Sequence, residues 1–385
     1  MFQSYSFYRR PGEVAGRIVS NGAAELGMAA VRPPRLLCAM RYGGLGASSR
    51  LRLAQYRPYL ERAGLRTEMR SFLSDDYVRA LYSGAPRVGA VAGAYARALG
   101  APQAARAADI LWIEKEFLPW LPFALERRAI GSRPYILDFD DAWSLRYEQS
   151  KVPLVRWLLG GKFRKLLRGA ALTVVANETL FAWARAEGAT TILRLPTVID
   201  LDLYRPQPEP DLPFTIGWVG TPLTAAYLDV IAGPLKMLAA EAPLRLLIIG
   251  APEVRIEGVE CVHLPWSAET EAEDLAGCHV GIMPLPDDDW ARGKSGYKII
   301  QYMAMARPAV ASAIGANNQI IAPGETGFLA STPAEWLTHL RALRDDPALR
   351  QRLGAAARLR VEQQFSLQVT APILIAHMTT VLSQM

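Results

Sequence analysis

Short apolar runs alternate with helical stretches along nearly the whole chain, and this alternation constrains the fold more than any other feature. In the first half "PRLLCAMRY", "ADILWIEKE", "RPYILDFDD" and "ALTVVANET" read as buried strands; in the second half "PFTIGWVG", "LRLLIIGAP", "VECVHLPW", "HVGIMPLP" and "RPAVAS" do the same. Between them lie helical stretches such as "SSRLRLAQYRPYLERAG" and "TAAYLDVIAGPLKMLAAEA". Apolar strands joined through helices need a parallel sheet with both faces covered, because parallel neighbours require a crossover and neither face then meets water. A chain of 385 residues is long for one such core and comfortable for two. The seam falls at "YRPQPEPDLP", residues 204–213, where four prolines break both patterns and leave nothing to bury. The expected organisation is a tail over residues 1–33, one α/β domain over 34–207, a second over 208–365, and a closing helix over 366–385 with the option of returning to the first domain.

No apolar run reads as long enough to span a bilayer. The twin arginine of "FYRRPGEVAG" is followed by Arg17 and Glu25 and not by an apolar core, which argues against a signal peptide. Cys38, Cys261 and Cys278 are scattered, which argues against a disulfide framework and for a reducing, cytoplasmic compartment. His263, His279, His339 and His377 form no zinc spacing with them, so no metal is expected. Charge divides unevenly, +11 up to residue 210 and −5 beyond it. The first half is therefore expected to meet something anionic. Nucleic acid is disfavoured because no binding motif is visible, leaving a membrane surface or a phosphorylated acceptor.

Open parallel sheets bind ligands beyond the carboxyl ends of their strands, so the residues there are the site candidates. After the first strand, Gly43, Gly44 and Gly46 allow close approach of a phosphate or a sugar, or make a simple tight turn, and Ser48 is placed to cap the next helix. "YILDFDDAW" sets Asp138, Asp140 and Asp141 at a strand end, where paired carboxylates orient an acceptor hydroxyl or cap a helix. In the second half "GWVGTP" offers Gly220 and Thr221. The most informative stretch is "WARGKSGYKIIQYMAMARPAVAS", in which Arg292, Gly293, Lys294, Ser295 and Gly296 form a basic turn before a helix. Free N–H groups at a helix start suit an anion, and Lys294 and Lys298, four residues apart, are expected to face it together. "VPLVRWLLGGKFRKLLRG", residues 152–169, is basic and apolar by turns, suited to lying on an anionic bilayer or to packing with its cations outward. "STPAEW" predicts a capping box, with Thr332 as N-cap, Pro333 in first helical position and Glu335 closing it.

"GKSGYKIIQYMAMARPAVAS" followed by "GANNQIIAPGETGFLA" resembles a family 4 glycosyltransferase of the GT-B fold, in glycosyl transferases group 1. The resemblance covers the chain from about residue 34 to 370. It implies two Rossmann-like domains facing a cleft, a UDP- or GDP-sugar donor on the second, and a saccharide or lipid-linked acceptor on the first. It further implies retention of configuration without metal or other cofactor, and a place in bacterial surface-polysaccharide or glycolipid assembly at the inner face of the membrane. The family carries two glutamates separated by seven residues; here Gln301 stands at the second, which holds the ribose, and Gly293 at the first, which contacts the transferred sugar. Asp287, Asp288 or Asp289 could supply the missing carboxylate. The family's Arg and Lys on the diphosphate are replaced by Thr221 and Tyr227, which shifts that role to Lys294, Arg292 and Lys298. Asp140 and Asp138 also spell Asp-x-Asp, the metal signature of the other glycosyltransferase fold, which two similar halves argue against. Two rivals remain: a sugar-nucleotide epimerase of this architecture, and a degenerate partner subunit that only binds sugar nucleotides.

Overall fold

The computed structural model describes residues 32–211 and 213–384; the twin arginine and nearly all of the expected tail lie outside them. Two separate six-stranded sheets form, both parallel throughout. The first contains β1 (Arg35–Met40), β2 (Arg66–Ser71), β3 (Ile110–Glu114), β4 (Tyr135–Phe139), β5 (Leu172–Val175) and β6 (Ile192–Arg194), in the order β2-β1-β3-β4-β5-β6. The second contains β7 (Phe214–Val219), β8 (Leu244–Ile249), β9 (Glu260–Leu264), β10 (Val280–Met283), β11 (Ala309–Ser312) and β12 (Gly327–Ala330), in the order β12-β11-β10-β7-β8-β9. The nine strands expected from apolar runs are present, and β2, β6 and β12 are additional. These three stand at sheet edges, where β2 ("RTEMRS") keeps much of its charge in water and so lacks the apolar signature.

Sheet order locates the crevices. The strand order reverses between β1 and β3 in the first sheet and between β7 and β10 in the second, and ligands bind outside the carboxyl ends at such points.

The seam does bury something. Tyr204 is 5% exposed, and Arg350 pairs with Glu209 at 3.0 Å while Arg307 donates to the Pro208 carbonyl, so the linker is fastened to the second domain. The last helix, Leu367–Ser383, lies against the first domain, where the Tyr56 hydroxyl meets Thr370 Oγ1 at 3.0 Å. The Thr332–Glu335 capping box forms as its spacing predicts: Thr332 Oγ1 accepts from the Glu335 N–H, and Glu335 accepts in return from the Thr332 N–H.

One stretch departs from the membrane reading. Pro222–Glu241 is long and apolar enough, by length and composition, to cross a bilayer. Here it breaks into Pro222–Ile231 and Ala232–Glu241 and presses Leu228, Ile231, Leu235 and Leu238 into the core of the second domain.

Candidate functional site between the domains

The basic turn sits between β10 and the helix Tyr297–Ala304, facing the first domain. Gly296 is the residue before this helix and adopts φ 72°, which favours glycine; a Cβ there would also stand 2.3 Å from Ile320 Cδ1. Lys294 precedes the helix and is not part of it, so the four-residue helical spacing expected of Lys294 and Lys298 does not apply. The two ammonium groups nevertheless gather. Lys294 Nζ lies 5.8 Å from the Tyr227 ring and 5.7 Å from the Trp290 ring, and Lys298 Nζ lies 4.3 Å from the Trp218 ring and close beside Gly220. Among the described residues neither lysine forms an ion pair with a carboxylate. Burial, and then the neighbouring charge of Lys294, push the Lys298 ammonium down to about 7. Two gathered amines with no carboxylate at ion-pair distance leave room for an anion.

Arg292 does not join them. It is exposed and clamped by Asp287 through two contacts, Nε to Oδ1 at 2.7 Å and Nη2 to Oδ2 at 3.1 Å. Asp288 is occupied too, as the N-cap of Asp289–Arg292, accepting from the Ala291 N–H at 2.7 Å. Gln301 is 1% exposed and donates to the Tyr204 hydroxyl at 2.8 Å. That hydroxyl in turn donates to Glu271, which also accepts from Trp266 Nε1 at 2.6 Å. Arg50 of the first domain reaches across to the same place, its guanidinium 4.8 Å from the Trp266 ring and 4.0 Å from Glu271. Sequence reading missed Glu271 and Arg50 because neither lies in a recognisable motif.

Gly43 and Gly44 are turned toward their own domain. The Leu45 N–H donates to Asp75 at 2.9 Å, and a Cβ on Gly43 would stand 2.4 Å from the same carboxylate oxygen, which supports the tight-turn reading. Ser48 does not cap its helix; it accepts from Lys115 Nζ at 2.7 Å. Gly220 lies at the end of β7, where a side chain would collide with the Trp218 ring and Lys298, and the Thr221 N–H is bonded to Thr224 Oγ1. Ser295 is half-buried in the turn.

The carboxylates after β4 separate in role. Asp138 points into the core, where Arg52 Nε meets it at 2.8 Å and Trp112 Nε1 at 3.2 Å; burial still pushes its carboxyl up to about 6. Asp140 pairs with Lys115 at 3.0 Å. Burial opposes its charge, but Lys115 and Ser48 outweigh burial and hold it below the usual carboxylate range. Asp141 goes the other way, raised by burial against the pull of Lys294, the strongest opposing charge. Neither Asp140 nor Asp141 caps the following helix, whose N-cap is Ser144. Lys115 itself takes φ 63°, an uncommon conformation for a side chain of this size, and also contacts Glu114 at 3.3 Å. The sequence signal for it was "IEKE" at the end of a strand, read only as strand.

The two domains meet at this point. Trp143 and Trp290 rings lie 6.1 Å apart with Arg146 against both, and Gly293 packs directly on Ala142. A turn carrying Lys294 and Lys298 on one domain thus faces Asp141 on the other. Residues 213–346 match the family model described as glycosyl transferases group 1. This segment of the second domain is similar to the group 1 glycosyltransferases. Over 113 residues it is 34% identical to a D-inositol 3-phosphate glycosyltransferase of Arthrobacter, a match spanning 29% of this chain and 25% of that relative. Solved structures extend the likeness to both domains. Sucrose-phosphate synthase of Thermosynechococcus elongatus superposes with a TM-score of 0.67 at 14% identity, over 91% of this chain and all of that one. HepE of Anabaena, in complex with UDP-glucose, superposes with 0.63 at 15% identity, over 90% and 99%. The fold is GT-B, two Rossmann-like domains across a cleft.

Proposed function

We propose that the chain transfers a sugar from a nucleoside-diphosphate sugar, with UDP as the favoured nucleotide, to a saccharide or lipid-linked acceptor. The observation that carries this reading is the pair Lys294 and Lys298, gathered at the end of β7 with no carboxylate at ion-pair distance among the described residues, and facing Asp141 across the domain boundary. Cleavage of the donor places growing charge on the β-phosphate, and cations already in position stabilise it without reorganising. Lys294, Lys298 and the N–H groups opening Tyr297–Ala304 supply that field. Asp141 orients the acceptor hydroxyl, and Lys115 fixes Asp140 beside it. Asp138 and Asp140 are each engaged by a buried cation, which supports transfer without a metal. The leaving phosphate then assists deprotonation of the acceptor on the same face, retaining configuration. UDP as nucleotide draws on the UDP-glucose complex of HepE. The test is release of nucleotide from UDP-glucose and GDP-mannose, with and without saccharide acceptors. Enzyme-dependent release that Lys294→Ala removes supports transfer; binding with no turnover of any donor supports the partner-subunit rival.

Lys298 makes donor affinity depend on pH. Its free ammonium loses the proton as pH rises through about 7, and an arriving diphosphate must then restore it. Affinity for a UDP-sugar, which has no group titrating in this range, is expected to be full below that pH and to fall up to about tenfold per unit above it. Lys298→Met should flatten the profile, read by calorimetry across the range.

We also propose contact with an anionic membrane. Residues 152–169 form two helices, not one. Lys162–Gly169 is core, with Phe163, Leu166 and Leu167 buried and Lys162 paired with Glu116 and Glu126. Pro153–Leu159 instead exposes Leu154 (63%) and Trp157 (80%) beside exposed Lys151 and Arg156, a combination suited to anionic headgroups. The double substitution Leu154→Ser, Trp157→Ser is expected to lower partition onto phosphatidylglycerol vesicles by about tenfold or more, measured by flotation.

A further inference from the structure

We propose that Asn177 is a positioning residue that couples closure of the two domains to placement of Lys294. This rests on the reading that Lys294 meets the leaving diphosphate. Asn177 follows β5 and is 1% exposed. Its Oδ1 accepts from the Leu180 N–H at 2.9 Å and caps the helix Glu178–Ala186 within the first domain. Its Nδ2 crosses to the second domain and donates to the carbonyls of Gly293 and Lys294, each at 3.0 Å.

The two ends of this side chain therefore do different work. Aspartate or serine would cap the helix equally well, and only a side-chain amide adds the two N–H donors that the turn receives. Those donors bond the backbone of the residue that carries the ammonium group, so they set where Lys294 starts from. On the adjoining loop Ala142 packs flush on Gly293, which leaves the turn gripped from the ends of both β4 and β5. When the domains part, both grips are lost together and the Lys294 backbone is released to water. Closure and assembly of the cation site become one event, which prevents a bound donor from meeting a finished catalytic field while the cleft is open to water.

The test compares Asn177→Asp and Asn177→Ala in the full chain, following transfer kcat, UDP affinity, thermal midpoint and the small-angle scattering radius. Asp keeps the cap and turns a carboxylate toward two carbonyls; Ala loses the cap and the bridge. Coupling predicts that both variants lose roughly tenfold to a hundredfold in kcat. UDP affinity should fall as well, but by no more than Lys294→Ala lowers it, since opening releases the Lys294 backbone and leaves the nucleotide's other contacts in place. Asn177→Asp should keep the wild-type midpoint yet scatter as a more open particle, while Asn177→Ala alone melts earlier. If Asn177→Asp transfers at the wild-type rate and only the unstable Asn177→Ala is slow, Asn177 is a helix cap and the proposal fails. An unchanged scattering radius for Asn177→Asp overturns it too, even where Lys294→Ala confirms the diphosphate site. Conversely, an open Asn177→Asp beside a Lys294→Ala that binds UDP normally would keep the interdomain grip and reject the Lys294 reading.

Discussion

Gly293→Glu is expected to reduce transfer at least a hundredfold, although it restores the residue that the family carries at that place. A Cβ on Gly293 would lie 2.4 Å from Ala142 Cβ, 3.0 Å from its backbone N and 3.2 Å from its Cα. Ala142 belongs to the other domain, and backbone atoms cannot rotate away. The local backbone does not require glycine, since Gly293 has φ −81°. The second domain should therefore fold normally with a side chain here, and the cost should fall on closure alone. Gly293→Ala is the milder probe, expected to lose about tenfold in kcat with little change in thermal midpoint. Pairing it with Ala142→Gly removes the Cβ–Cβ collision and should recover part of the loss, a coupling that a double-mutant cycle would register. Wild-type kcat in Gly293→Glu would mean that the working enzyme never brings these surfaces together.

Lys294→Ala is expected to lower kcat/KM by about a hundredfold to a thousandfold, the range seen when one preorganised group is taken from a developing oxyanion. Lys298 does not substitute, because its ammonium near pH 7 is only partly charged and lies against Trp218 and Gly220. Removing Lys294 also removes the neighbouring charge that holds Lys298 down, so the pH profile of the residual activity should move upward. Lys294→Arg keeps the charge with a different shape and should retain more activity than Ala. Steady-state rates at two pH values would read both effects.

The architecture was written in the apolar runs because a strand buried on both faces has little choice of residue. "LRLLIIG" and "RPYILDF" became β8 and β4, whereas the polar edge strand β2 gave no such signal. The cation site was half legible. "GKSGYK" pointed to Lys294 and Lys298, but the sequence does not tell that Arg292 is taken by Asp287, or that Gln301 turns inward to Tyr204. These outcomes depend on partners 97 residues away or on local rotamers, and no periodicity encodes them. The glycine at 293 is the clearest case. In sequence it reads as a lost carboxylate; in space it is the place where Ala142 of the opposite domain rests. Asn177, the residue that spans the boundary, stands in an ordinary-looking "ANET" and could be read there only as a cap.

The central claim is that the turn between the domains receives a nucleoside diphosphate. Calorimetric titration of UDP and of GDP into the wild-type chain and into Lys294→Ala tests it most directly. The account predicts saturable binding of UDP, weakened at least tenfold by the substitution. A folded wild-type chain that binds neither nucleotide, or a Lys294→Ala variant that binds UDP as tightly as the wild type, would contradict it.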